Sequence, residues 1–180
     1  MFKFVDLPLQ LPELESVDKN GKRYYPVPNG KFYPSITTVT SFKKVAQIME
    51  WRKRVGEEAA NKKTARATSR GTSYHSIVET YLKNEPVETY KDKILAFNLF
   101  QVSKPILDRI SNIHALETSL YSDYLGVAGR VDCIAEFDGE LAVIDFKTSD
   151  KEKREDWIEN YFVQETAYAV MFMKEQVFNL

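Results

Sequence analysis

Apolar residues recur at helical spacing over four stretches of this chain and gather into short β-branched runs over three. Residues 1–34 show neither pattern for long and read as extended and loop-like. Asp18-Lys-Asn-Gly21 marks a hairpin turn there, and Pro28-Asn-Gly30 a second turn. From Pro34-Ser35-Ile36-Thr37-Thr38-Val39 the chain enters a helix. Ser and Thr supply the cap, Val45, Ile48 and Met49 the apolar period, and the expected span is about 38–66 with a break near Gly56. Arg70-Gly71-Thr72 reads as a turn with Thr72 capping a second helix over 73–83. That helix carries His75, Val78, Glu79 and Leu82 on one face. A third helix is expected over roughly 91–112. Strands follow near 114–122, 127–137 and 140–148, then a Tyr/Phe/Met-rich helix over about 153–175. Runs of strands beside runs of helices predict an α+β fold of one domain rather than a doubly wound sheet. No internal repeat or low-complexity segment interrupts it.

The richest pattern lies at the second and third strands. Asp138-Gly139 between runs of Val, Ile and Phe is the strongest short-range signal for a two-residue hairpin. With those two residues as the loop, Phe137 pairs with Glu140. The register then sets Asp132 opposite Asp145 and Arg130 opposite Lys147. Asp145 and Lys147, two apart, share a face. Opposed Cβ atoms lie about 4.5–5.5 Å apart, where two carboxylates repel. A hard divalent cation between them removes that cost, and the Phe146 backbone carbonyl offers a further oxygen. A cation of this kind suits phosphodiester hydrolysis. Lysines are ordinarily protonated at neutral pH, so Lys147 fits an electrostatic role better than that of a general base. The structural alternative is that Arg130 or Lys147 pairs with Asp145, whose apolar flanks make an unpaired carboxylate costly.

Composition adds limits. The chain has 180 residues, 43% hydrophobic and 28% charged, enough for one domain with a real core. The single Cys133 falls in an apolar strand, reads as a small buried hydrophobe and leaves no disulfide framework. No His/Cys spacing suits zinc, and no apolar run is long enough to span a bilayer, so no membrane partner is expected. The N-terminus lacks a signal-type apolar core and carries Asp6, Glu13 and Glu15, from which a cytoplasmic-type compartment is expected, with a trimmed precursor left open. The net charge of −1 hides an asymmetry: residues 43–70 hold nine basic side chains and three acids. That stretch is either a solvated helix face or an electrostatic footprint for phosphates.

Several motifs together resemble a known family. Asp132 followed by Asp145-Phe-Lys147 is similar to the PD-(D/E)XK nuclease signature. Arg70-Gly-Thr-Ser-Tyr-His75-Ser-Ile-Val-Glu79 and Gln164-Glu-Thr-Ala-Tyr168 resemble the histidine and Gln-x-x-x-Tyr motifs of its RecB-type branch. Pro34-Ser-Ile-Thr37, Glu117, Leu125-Gly126, Asp132-Cys-Ile-Ala-Glu136 and Ile144-Asp-Phe-Lys-Thr-Ser149 have counterparts in the mitochondrial genome maintenance exonuclease family and its phage-encoded relatives. The likeness covers about residues 30–172.

The resemblance implies a restriction-endonuclease-like mixed central sheet flanked by helices, with an N-terminal helical clasp. It divides the single domain into an extended segment (1–34), a helical region (35–112) and a catalytic core (113–180). It implies a Mg²⁺- or Mn²⁺-dependent exonuclease acting on single-stranded DNA ends, in the host cytoplasm if phage-encoded. Asp132, Asp145 and Lys147 would be catalytic, with His75, Asp132, Asp145 and the Phe146 carbonyl on the metal. Glu79 would orient His75 or bind metal through water, and Glu117 would be a further ligand or a supporting acid. Gln164 and Tyr168 would contact phosphate, brace Lys147 or simply pack. Arg52, Lys53, Arg54, Lys62, Lys63, Arg66, Arg70 and Thr148 are the expected DNA contacts, with Trp51, Tyr74 and Tyr81 as stacking or core aromatics. His114 has no motif and reads as structural. The family's chains usually continue past the Gln-x-x-x-Tyr helix. This sequence stops at Phe178-Asn-Leu180, so self-association or a partner chain completing the sheet is one expectation. The alternative functions are a non-catalytic DNA-end binding subunit and a related endonuclease.

Overall fold

Left-handed Asn20 (φ 58°) and Gly21 (φ 73°) close the first hairpin, where the Asp18 carboxylate accepts from the Gly21 amide at 2.8 Å. They join β1 (Val17–Lys19) to β2 (Lys22–Pro26). A turn through Gly30 leads to β3 (Phe32–Pro34), completing a three-stranded antiparallel sheet. The computed structural model describes residues 1–8, 10–150 and 158–177. Buried Ser35 caps α1 (Ile36–Ser41) by accepting from the Thr38 amide at 3.0 Å.

The long helix expected over 38–66 is three pieces. α1 passes through a 3₁₀ turn into α2 (Val45–Val55), and Gly56 (φ 83°) breaks the chain before α3 (Glu57–Leu82). The expected turn at Arg70-Gly71-Thr72 does not exist. α3 runs straight through it, and Thr72 is an interior residue rather than a cap. A helical glycine costs about 1 kcal/mol. Burial of Ile77, Val78 and Leu82 beyond it contributes roughly 1.5–3 kcal/mol each, so the helix continues.

The third helix is also shorter than expected. α4 (Ile94–Leu107) has Pro105 in its last turn, which removes a backbone donor there. The chain is already a strand at Ile110, because Ile110 and Ile113 are core residues and Ile110 pairs with Phe137. β4 (Ile110–Ser122), β5 (Val127–Phe137) and β6 (Glu140–Ile144) form the central antiparallel sheet, with a bulge between Ser111 and Ala115. Parallel pairing enters through two single bridges, Phe4 with Ile113 and Ser35 with Ala128. α5 (Glu159–Val177) follows; the first part of the helix expected from 153 lies outside the described residues.

Alternation along β5 builds the layers. Cys133 and Ala135 join Tyr74, Ile77, Val78 and Leu82 of α3 and Phe100 of α4 in one core. Ile134, pointing the other way, joins Ala167, Tyr168, Met171 and Phe172 of α5 in a second. Tyr25, Val27 and Tyr33 of the N-terminal sheet pack on Ala128. This mixed arrangement of helices and antiparallel sheets is α+β, as expected, and is consistent with a restriction-endonuclease-like core. α2 buries no residue and α3 buries only Ala60 before Tyr74, so this helical pair stands largely in solvent. Among the described residues no helix is long and apolar enough to cross a membrane.

Candidate active site

The hairpin register runs from Phe137↔Glu140 to Cys133↔Ile144 and then stops. Asp138 (φ 53°) and Gly139 (φ 85°) form the turn, and Arg109 grips the Asp138 carboxylate. β6 ends at Ile144 rather than 148 because the next backbone donor goes elsewhere. The Phe146 amide donates to Asp132 Oδ2 at 2.8 Å, so Asp132 ties down the strand end that the register sets against it. Asp145, with 4% of its side chain exposed, accepts from Lys147 Nζ and from Gln164 Nε2 at 3.1 Å. Of the two partners expected for it, Lys147 is taken. Arg130 instead pairs with Glu117 across β4, and does not face Lys147 in a ladder.

His75, on α3, reaches the same place from the other side. Its Nδ1 lies 3.6 Å from Asp132 Oδ2 and 3.7 Å from Glu117 Oε1, beyond hydrogen-bond range but within ion-pair range. Ligand atoms of His75, Glu117 and Asp132 all fall within 4.8 Å of one another. An octahedral ion with bonds of about 2.1 Å needs donors about 3.0 Å (adjacent) to about 4.2 Å (opposite) apart, so the set fits after small adjustment. Two carboxylates and one imidazole are a donor set that could hold a divalent cation. Electrostatics agree. Burial above all raises the Asp132 carboxyl to about 6, with Asp145 adding to the rise and His75 and the Phe146 amide opposing it. The adjacent Glu117 carboxylate raises the His75 imidazole against the downward pull of burial. Glu117 has a left-handed backbone (φ 48°) within β4, unusual for a residue with a Cβ. Arg130 Nε fixes one of its oxygens at 2.9 Å, leaving the other toward His75.

A cavity of about 260 Å³ opens over this cluster. Lys147, Gln164 and Tyr168 line it, together with Arg23, Tyr25, Ser35 and Thr37 from the N-terminal sheet and the start of α1. Gln164 and Tyr168 are buried. Tyr168 fits only because β5 carries Gly129 beside it: a Cβ there would lie 2.7 Å from both Tyr168 Cε1 and Oη. The N-terminal wall residues went unassigned in the sequence, although Pro34-Ser-Ile-Thr37 stood out as a motif. Glu79 lies outside the three-donor cluster and binds Lys83 at 2.7 Å.

The basic stretch divides. Lys53, Arg54, Lys62, Lys63 and Arg66 are exposed on α2 and α3. Arg52 is occupied by Glu57 and by Asn61 at 2.6 Å, and bridges the Gly56 break. Arg70 is mostly buried and bonds Thr148 Oγ1 at 3.3 Å and Asp150, bracing α3 against the segment after Lys147. Tyr74, bonded to Ser103 at 2.8 Å, is a core aromatic; Tyr81 packs between Phe2 and Phe100; Trp51 is half-buried. His114 makes an edge contact with Phe172, and Cys133 is fully buried with its thiol pushed up to about 12.

Residues 98–178 match the model of the PD-(D/E)XK nuclease superfamily. Over those residues, just under half of its length, the chain carries the pattern of that superfamily. Its relatives include Mitochondrial genome maintenance exonuclease 1 of Homo sapiens, 33% identical over 131 residues, covering 67% of this chain and 38% of the human protein. The Mus musculus protein of the same name is 31% identical over 110 residues (59% of this chain, 32% of that protein). The Xenopus tropicalis protein is 28% identical over 128 residues (67% and 37%). The chain thus spans about a third of the length of the curated relatives it matches. The superfamily match takes in Glu117, Asp132, Asp145, Lys147, Gln164 and Tyr168. His75 and the basic face of α2 and α3 precede it.

Proposed function

We propose that this chain is a Mg²⁺- or Mn²⁺-dependent exonuclease that hydrolyses phosphodiester bonds at single-stranded DNA ends. The observation that carries the reading is the convergence of His75, Glu117 and Asp132 at one end of a cavity that Lys147 also lines. His75 and Asp132 would hold the ion, with Glu117 beside them and Asp145 and the Phe146 carbonyl as the neighbouring oxygen donors. When bound, it supplies charge to the phosphate and acidifies a water ligand. The other contributions are the chain's own. Lys147 presents N–H donors to a phosphate oxygen or to the attacking water, while Asp145, held by Gln164, fixes the ammonium in place. Hydrolysis joins the water oxygen to phosphorus and breaks the P–O bond to the departing nucleotide. Exposed Lys53, Arg54, Lys62, Lys63 and Arg66 would follow the backbone of the incoming strand.

The name of the curated relatives favours an exonuclease. A covalently closed single-stranded circle tests this, supplied beside the same sequence in linear form with Mg²⁺ or Mn²⁺. The proposal expects the linear strand to be degraded and the circle to survive. Cutting of the circle would make the protein an endonuclease, and tight binding of the linear strand without cleavage would make it a DNA-end binding subunit.

A further inference from the structure

Three cations line the cavity above the His75–Glu117–Asp132 cluster, and two of them are committed: Arg130 to Glu117 and Lys147 to Asp145. Arg23 is exposed and its side chain has no carboxylate partner among the described residues, while its backbone carbonyl accepts from the Ser35 amide at 2.9 Å and from Thr38 Oγ1 at 3.4 Å. Two phenols face the same space. Tyr25 is 3% exposed and Tyr168 is 2% exposed, both line the cavity, and neither hydroxyl hydrogen-bonds to another described residue. Neither phenol oxygen is enclosed by protein, so both hydroxyls are open to donate to a group in the cavity. Gly129 sharpens the point, since the absence of a Cβ in β5 is what lets the Tyr168 hydroxyl come so close to the strand. The three groups lie near one another: the charge of Arg23 and the phenol of Tyr25 both act on Tyr168. A guanidinium and two hydroxyl donors around a small opening match a tetrahedral oxyanion.

We propose that the Arg23 side of this cavity is a phosphate-binding subsite for the nucleic-acid strand, adjoining the metal-ligand cluster, with Arg23 supplying the charge and Tyr25 and Tyr168 the hydroxyl donors. The proposal deepens the nuclease reading and rests on it for the identity of the strand. The phosphate held is one other than the scissile group, because Asp132 and Glu117 occupy the neighbouring end of the cavity. The subsite gives the N-terminal sheet a role: β2 carries both Arg23 and Tyr25 to the wall facing α5.

The test is equilibrium binding of a fluorescent single-stranded oligonucleotide in EDTA, where cleavage is suppressed and affinity is read alone. Arg23→Gln is expected to weaken binding about tenfold and to reduce the salt slope of log K by about 0.7. Tyr25→Phe and Tyr168→Phe, which keep both rings packed, are expected to weaken it about three- to tenfold each. All three variants should melt with the wild type. A 5′-phosphorylated and a 5′-hydroxyl strand, each also made with one uncharged methylphosphonate linkage, identify the phosphate. A loss confined to the phosphorylated strand assigns a terminal phosphate, and an equal loss on both that methylphosphonate abolishes assigns an internal one. Affinities within twofold of wild type for all three folded variants would overturn the subsite while leaving the nuclease reading standing. Cleavage that fails in the wild type, with these binding losses intact, would remove the nuclease reading and leave the subsite.

Discussion

Gly129 shows how little room the site has. The Tyr168 ring occupies the space a side chain would take, so Gly129→Ala should destabilise the protein by about 1–3 kcal/mol through overpacking. Urea melting checks this, and Gly129→Ala combined with Tyr168→Leu should recover part of the loss. The cluster beneath makes a second prediction, about pH. Burial raises the Asp132 carboxyl to about 6, and the Glu117 carboxylate raises His75. Both groups must shed their protons to bind metal, so Mn²⁺ affinity should fall as pH drops through about 6. Calorimetry at about pH 7.5 and about pH 5.5 should show at least about a tenfold loss, and equal affinities would contradict the ligand assignment. That Asp132, Asp145 and Lys147 lie close together was legible in the sequence because a two-residue turn fixes the hairpin locally, although the ladder ends at Cys133↔Ile144, one pair short of them. The left-handed Glu117, its clamp by Arg130 and the Gly129–Tyr168 contact were not, since each depends on strands or helices distant in sequence.

Among the elements, α3 departs most from what the sequence suggested. Arg70-Gly71-Thr72 has the composition of a turn, yet the helix passes through it because its far half is buried on β5 and α4. Gly71 and Gly56 therefore answer differently to the same substitution. Gly71 is helical, and an added Cβ would meet only Thr148 Oγ1 at 3.8 Å, so Gly71→Ala should stabilise by about 0.5–1 kcal/mol. Gly56 is left-handed, so Gly56→Ala should destabilise by about 1 kcal/mol although nothing lies within 4 Å. Thermal melting of the two variants distinguishes a continuous helix from a turn: a loss of stability in Gly71→Ala would restore the turn. The strands were placed within a few residues, because alternation and the Asp-Gly signal are strong. The errors at 110–113 and 145–148 have a common cause: the bulge in β4 and the Asp132–Phe146 bond are long-range contacts that local pattern does not encode.

Over the whole molecule, charge separates two tasks. The acids of the cluster lie at the cavity, and Lys53, Arg54, Lys62, Lys63 and Arg66 lie exposed on the α2–α3 pair. Arg52 and Arg70 are spent on internal contacts, so the exposed set is smaller than the sequence count suggests. Affinity for single-stranded DNA should fall steeply with salt. Lys62→Gln and Lys63→Gln should each flatten the slope by about 0.7, with no change in melting temperature; an unchanged slope would remove this face from the DNA path. Hydrolysis at the proposed His75–Asp132–Asp145–Lys147 centre is tested most directly by degradation of an end-labelled linear strand by wild type and Asp145→Ala, in Mn²⁺ and in EDTA. The wild type should cleave in Mn²⁺ alone, and Asp145→Ala should fold and bind DNA yet not cut. Cleavage that persists in EDTA, or in Asp145→Ala, would contradict hydrolysis at this centre.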